Sequence, residues 1–202
     1  VTGVAETFAA AARAASRGKA TGGLRRSAMR IFDTEALICY RLDEVEHARR
    51  FDVRAGVLAS ADVLELLLGL PVGMPVPLAS LSGRERDALR SAPVGSVVVQ
   101  GAEVIRKAVV PVSVELALVG AGTWRRGLEV AGRFTPFCAR AMVLAEHPAD
   151  LDELRVQADF YSVGVIVSTE QVTEVLVEPT PFRRVRFTAA GWQFLERVYR
   201  QR

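Results

Sequence analysis

The chain has 202 residues, half of them hydrophobic and 24% charged, which excludes disordered and fibrous classes. A chain of this length can bury a core without disulfide or metal staples. The formal net charge of +3 divides unevenly. Residues 1–30 carry +5 and residues 181–202 another +5, which leaves −7 on the 150 residues between. The basic residues are 24 Arg and 2 Lys, the bias of a GC-rich bacterial gene, so arginine abundance alone does not point to phosphate binding.

Val4 to Arg17 reads as a short Ala-rich helix ending at Gly18, with a loose joint at Gly22-Gly23. It contains Glu6 and lacks a Leu/Val-rich block, so a secretory leader is not expected and the cytoplasm is the expected compartment. Met29 to Leu42 fits either a strand pair or a helix. Ser60 caps a helix to Leu68 whose apolar positions imply burial on several sides. The uncharged run Leu66 to Gly83 has the length of a membrane span, but Pro71, Pro75 and Pro77 would break it as a helix. Residues 69–77 read as a rigid connector. Ser82-Gly83-Arg84-Glu85 matches a capping box and opens a helix to Ser91, before Pro93.

From Val94 the texture turns to β. Strands are expected at 97–99, 103–110 and 112–119, the last apolar on both faces as a central strand would be. Gly120-Ala121-Gly122 breaks the chain, and Thr123 caps a helix from Trp124 to Phe134. A strand at 141–145, a helix at 148–160, and a hairpin of 163–167 with 172–177 follow. Thr188 caps the last amphipathic helix. The order β-β-β-α-β-α-β-β-α predicts an α/β fold with a mixed sheet flanked by helices. Residues 1–92 are expected to form a helical or mixed N-terminal extension and 93–202 the α/β domain.

Several motifs have plain structural readings. Gly120-Ala121-Gly122 lacks the third glycine of a dinucleotide fingerprint, since position 125 is Arg125, and reads as a strand-to-helix turn. Cys39 and Cys138 are isolated and read as small buried hydrophobes. His47 and His147 stand apart, so no His/Cys zinc cage is expected. Asp150, Asp152 and Glu153 read as a helix N-terminus. Trp192, Phe194 and Tyr199 read as a packing stripe, the alternative being a nucleic-acid surface interleaved with arginines.

Residues 112–179 carry a resemblance. Val114-Glu115-Leu116-Ala117-Leu118 precedes Trp124-Arg125-Arg126-Gly127-Leu128, Ala139-Arg140-Ala141-Met142-Val143-Leu144 follows, and Val163-Gly164-Val165-Ile166-Val167 and Val175-Leu176-Val177-Glu178-Pro179 close the block. This resembles the core of the PD-(D/E)xK nuclease superfamily over about a third of the chain. There, a strand with an E-x-K motif leads into a helix opening on Trp-Arg-Arg, then a strand, a helix, a strand and a hairpin. The resemblance implies a restriction-endonuclease-like mixed sheet and, in active members, metal-dependent phosphodiester cleavage. Two carboxylates bind Mg²⁺ and a lysine activates the attacking water. Glu115 falls at the second acid, and Glu103 could supply the first, making these two the candidate metal ligands. The lysine position, however, is Ala117. Val130 and Phe134 replace a glutamine and a tyrosine. Lys107 could supply the missing amine if Glu103, Lys107 and Glu115 share one sheet face.

Three functional readings follow. The first is a non-catalytic nuclease-fold protein acting by binding, without a resident cofactor. Its partner would be DNA, held through Arg25, Arg26, Arg183, Arg184 and Arg186, or another protein. The second is an active Mg²⁺-dependent nuclease using Glu103, Glu115 and Lys107. The third is an interaction or structural module with no nucleic-acid role. No membrane partner is expected, and no feature specifies an oligomeric state.

Overall fold

The computed structural model describes residues 2–15, 22–169 and 171–202, and side chains from Thr7 onward. In chain order its elements begin with α1 (Thr2–Ala15), β1 (Leu24–Ile31), β2 (Thr34–Leu42), α2 (Glu44–Asp52), α3 (Ala61–Gly69) and β3 (Pro75–Pro77). After a single 3-10 turn at Leu78–Ser80 come α4 (Gly83–Arg90), β4 (Val97–Gln100), β5 (Glu103–Arg106) and β6 (Val112–Gly120). The chain continues through α5 (Trp124–Gly132), β7 (Ala139–Leu144), α6 (Leu151–Phe160), β8 (Gly164–Ser168), β9 (Thr173–Val177) and α7 (Ala189–Arg200). No described helix is long and apolar enough to cross a membrane. The expected end of the first helix at Arg17 and Gly18 lies outside the described residues.

The chain forms two compact units, each made of two segments: Val1–Arg41 with Val114–Arg184, and Leu42–Ser113 with Val185–Arg202. The division therefore does not fall at residues 92 and 93. The expected boundary follows local texture, whereas the units are set by which strands pair.

The first unit holds the mixed six-stranded sheet, in the order β1-β2-β6-β7-β8-β9. β1 and β2 pair antiparallel, β6, β7 and β8 run parallel, and β9 turns back antiparallel on β8. Parallel neighbours require a crossover, and α5 and α6 supply the two that join β6 to β7 and β7 to β8. The expected α/β class and mixed sheet are therefore observed, and β6 is a central strand. One sheet face buries Leu37, Cys39, Leu116, Leu118, Ala141 and Ile166 under Ala11, Ala12 and Ala15 of α1. The other carries Met142, against which α5 packs at Gly127. A Cβ there would lie 2.5 Å from the Met142 sulfur and 3.0 Å from its Cβ, so glycine permits the close approach.

The ambiguous residues 29–42 belong to a hairpin. Its two-residue turn is Phe32-Asp33, both in the left-handed region with φ of 53° and 56°. Asn-Gly is the usual choice there, and tertiary contacts sustain the costlier pair. The Phe32 ring packs on Phe134 and Phe137 with centroids 5.4 and 5.3 Å away, and Arg133 donates to the Phe32 carbonyl at 2.8 Å.

The second unit packs α2, α3, α4 and α7 with a three-stranded antiparallel sheet ordered β3-β5-β4. The stretch expected to be a plain connector thus contributes the strand β3. The strand expected over 103–110 stops at Arg106. There the guanidinium turns back to the carbonyls of Leu67, at 2.5 Å, and Leu70, at 3.2 Å, where the α3 C-terminus favours a cation. The sequence-level caps Ser60, Ser82, Thr123 and Thr188 all accept from the backbone N–H three residues on, and Ser82 with Glu85 forms the full capping box.

A buried charge network ties α2 to α7. Arg50, 5% exposed, donates to Glu46 on one side and to Glu196 on the other. The Trp192 indole donates to Glu196 at 3.1 Å, and Val109 N–H donates to Glu46 at 3.3 Å. Trp192, Phe194 and Tyr199 are buried, as the packing-stripe reading requires. Where the chain enters and leaves the middle segment of this unit, Asp43 N–H donates to the Pro111 carbonyl at 2.9 Å.

Candidate functional site

The candidate acids stand on different sheets. Glu115 is on β6 of the six-stranded sheet, and Glu103 is on β5 of the three-stranded sheet. Lys107 follows the end of β5 as an exposed residue whose backbone N–H donates to Ser96 O at 2.9 Å. The condition that the three share one sheet face is not met. Local texture makes 97–119 look like one continuous meander, but β5 pairs with β3 and β4 in the separate three-stranded sheet. Among the described residues, no three His, Cys, Asp or Glu side chains gather into a group that could hold a metal ion. Glu103 and Glu115 therefore do not form the pair of carboxylates on adjacent strands that the resemblance implies for Mg²⁺.

Glu115 itself is engaged. Arg41, at the far end of β2, donates Nε to one carboxylate oxygen and Nη1 to the Gly22 carbonyl. The side chains of Arg41 and Glu115 are 33% and 40% exposed, so this is a rim pair at the end of the sheet. Nearby, Arg26 stands opposite Cys39 in the β1–β2 register, and its positive charge favours the thiolate. Burial nevertheless dominates there and pushes the Cys39 thiol up to about 11. Cys138 is pushed up to about 12 by the same cause. Both cysteines are buried and free, in keeping with their reading as small hydrophobes.

Ala117, at the lysine position of the E-x-K pattern, is fully buried, and so is Phe134; Val130 is 6% exposed. The three positions where the resemblance expects polar side chains are all core. Opposite Ala117 in the parallel register stands Arg140, 9% exposed, which donates Nη2 to the Tyr161 carbonyl at 2.6 Å. Its Nε is buried without a partner, and burial lowers its pKa from the ordinary arginine value. Neither Arg41 nor Arg140 is among the site residues expected from the sequence. A charge inside the apolar run 139–144 is the available signal for Arg140. Nothing local marks Arg41, whose partner lies 74 positions away.

The arginines expected to meet nucleic acid are exposed. Arg25 and Arg26 lie on β1, an edge of the sheet, where charge also discourages pairing with another strand. Arg183 and Arg184 follow β9 in irregular chain, and partial burial lowers the pKa of Arg184. Arg186 is exposed in the second unit. The acidic cluster at 150–153 serves packing between helices. Asp150 accepts the Trp124 indole N–H at 2.9 Å, which holds its carboxyl below the usual range, and Arg125 bridges Asp150 and Glu153. His47 meets the Tyr199 hydroxyl and His147 meets Glu174, and among the described residues neither joins a metal-ligating group.

No family model, curated protein or solved structure matches the chain.

Proposed function

We propose that this chain is a non-catalytic protein of nuclease-like architecture that acts by binding, with DNA as its partner through the exposed Arg25, Arg26, Arg183, Arg184 and Arg186. The observation that carries the non-catalytic half is Ala117, which stands fully buried where the resemblance places the catalytic lysine. The engagement of Glu115 by Arg41 supports the same reading, as does the membership of Glu103 in a different sheet from Glu115. Hydrolysis of a phosphodiester in this superfamily needs paired carboxylates and an amine at one phosphate. The order β6-α5-β7-α6-β8 follows the strand, helix, strand, helix and strand that the resemblance implies, which supports the architectural half.

Two measurements test the proposal. Plasmid and linear DNA incubated with the protein and Mg²⁺ or Mn²⁺ stay intact; cleavage lost in Glu115→Ala would establish the active-enzyme reading instead. Binding to labelled duplex weakens steeply with salt, with a log–log slope of roughly −4 to −5 if each of the five arginines neutralises one phosphate. The Arg183→Ala/Arg184→Ala/Arg186→Ala variant lowers that slope by about three. Absent binding, or a slope unchanged in that variant, leaves the protein-interaction module as the surviving reading.

A further inference from the structure

The first unit contains a cleft of about 310 Å³ at the β2–β6 end of its sheet. Its walls include Leu24, Cys39, Leu116, Ala139 and Phe182, and Glu115 is the one carboxylate among its described lining residues. Clefts of roughly 300–1,000 Å³ with apolar walls and a few polar groups are the usual form of small-molecule sites. An engineered apolar cavity of about 150 Å³ already holds benzene, so this volume suits a substituted aromatic ring.

The polar chemistry selects among such molecules. A carboxylate only accepts hydrogen bonds. One Glu115 oxygen is taken by Arg41, and the other has no hydrogen-bond partner among the described residues. Arg41 balances the charge of Glu115, and Arg26 stands close by at Cys39, so a cationic ligand would face two guanidinium groups for one carboxylate. An anionic ligand would lie directly against Glu115. A neutral donor meets neither penalty.

We propose that the cleft beside Glu115 binds a small, neutral, apolar molecule that presents one hydroxyl or N–H donor to the free oxygen of the Glu115 carboxylate. This goes beyond the DNA-binding reading and does not depend on it.

The test uses the full chain without nucleic acid and 4-ethylphenol as the probe, with 4-ethylanisole as the matched compound lacking the donor. Titration calorimetry and ligand-observed NMR read the affinities. The phenol binds saturably and about tenfold or more tighter than the ether, the range expected for a hydrogen bond to a charged acceptor. Glu115→Leu removes the preference for the phenol while keeping ether binding. Leu24→Trp, at the partly buried start of β1, fills the cleft and abolishes both. Absent saturation, equal affinities for phenol and ether, or a preference that survives Glu115→Leu overturns the proposal. So does tighter binding of 4-ethylbenzylammonium or 4-ethylbenzoate than of the phenol. The matched pair on the unmodified chain decides the question even if a variant fails to fold.

Discussion

Arg50 and Glu196 meet through two parallel hydrogen bonds, Nη1 to Oε2 at 2.8 Å and Nη2 to Oε1 at 2.7 Å, with both side chains at most 5% exposed. The fork geometry is the strong form of such a pair, and its burial makes the loss of one partner costly. Glu196→Ala leaves Arg50 half-compensated and takes the acceptor from the Trp192 indole. We expect a loss of about 3–5 kcal/mol in urea unfolding followed by tryptophan fluorescence. The double variant Arg50→Met/Glu196→Leu should lose less than Glu196→Ala alone, because it leaves no unmatched charge at that end of the network. A double variant as unstable as the sum of its single variants would contradict the pairing.

Glu46 sets an acid limit on stability. Burial pushes its carboxyl up, but the hydrogen bonds from Arg49 and Arg50 outweigh burial and hold it below its ordinary value of 4.5. The folded pKa is thus depressed relative to the unfolded chain. The associated stability is fully present above the unfolded value and is lost as pH falls through the folded one. Between about pH 6 and pH 3, the unmodified chain should lose more stability than Glu46→Gln, which starts lower but has no such carboxyl to protonate. Parallel urea midpoints for the two across that window would refute this.

Gly164 opens β8 where three atoms crowd it. A Cβ there would fall 2.7 Å from Pro179 Cγ, 2.9 Å from Pro179 Cα and 2.9 Å from Ala141 Cβ. Since backbone and ring atoms cannot swing aside, Gly164→Ala should cost about 1–3 kcal/mol, the usual range for overpacking. Thermal unfolding checks it, with Gly132→Ala, which meets nothing within 4 Å, as the control expected to be neutral or stabilising.

The two thiols should be silent in the native protein. With the Cys39 thiol at about 11, roughly one in a thousand is thiolate at pH 8, which keeps it unreactive although it lines the cleft. A chromogenic disulfide reagent should therefore react with neither Cys39 nor Cys138 until denaturant is added, and then with both. Prompt labelling in buffer would contradict the burial.

The parts of this fold that are legible in the sequence are those whose causes are local. Ser60, Ser82, Thr123 and Thr188 each act on a backbone group three residues on, so the four caps can be read from spacing alone. The β8–β9 hairpin and the buried central strand β6 follow from short apolar runs between breakers. The β1–β2 hairpin is ambiguous in sequence because its turn carries neither Gly nor Asn. What holds Phe32-Asp33 in the left-handed region is the contact with Arg133, Phe134 and Phe137, a hundred residues away in sequence. Sheet membership is illegible for the same reason. Nothing in 97–106 says that its partner is Pro75–Pro77 rather than β6. At the site, Glu115 is recognisable by its place in a motif, while its neutralising partner Arg41 and the pairing of Arg50 with Glu196 depend on tertiary approach.

The hydrogen bond from Asp43 to Pro111 has a consequence for how the six-stranded sheet is assembled. The connection from β2 to its neighbour β6 is some seventy residues by sequence, yet its two ends are held within a hydrogen bond of each other. Once that middle segment is folded, β2 and β6 are delivered together as though joined by a tight turn, and the entropy of closing a long coil is not charged to the sheet. With α7 completing the body that holds Asp43 beside Pro111, the sheet's longest-range pairing becomes, in effect, a local one.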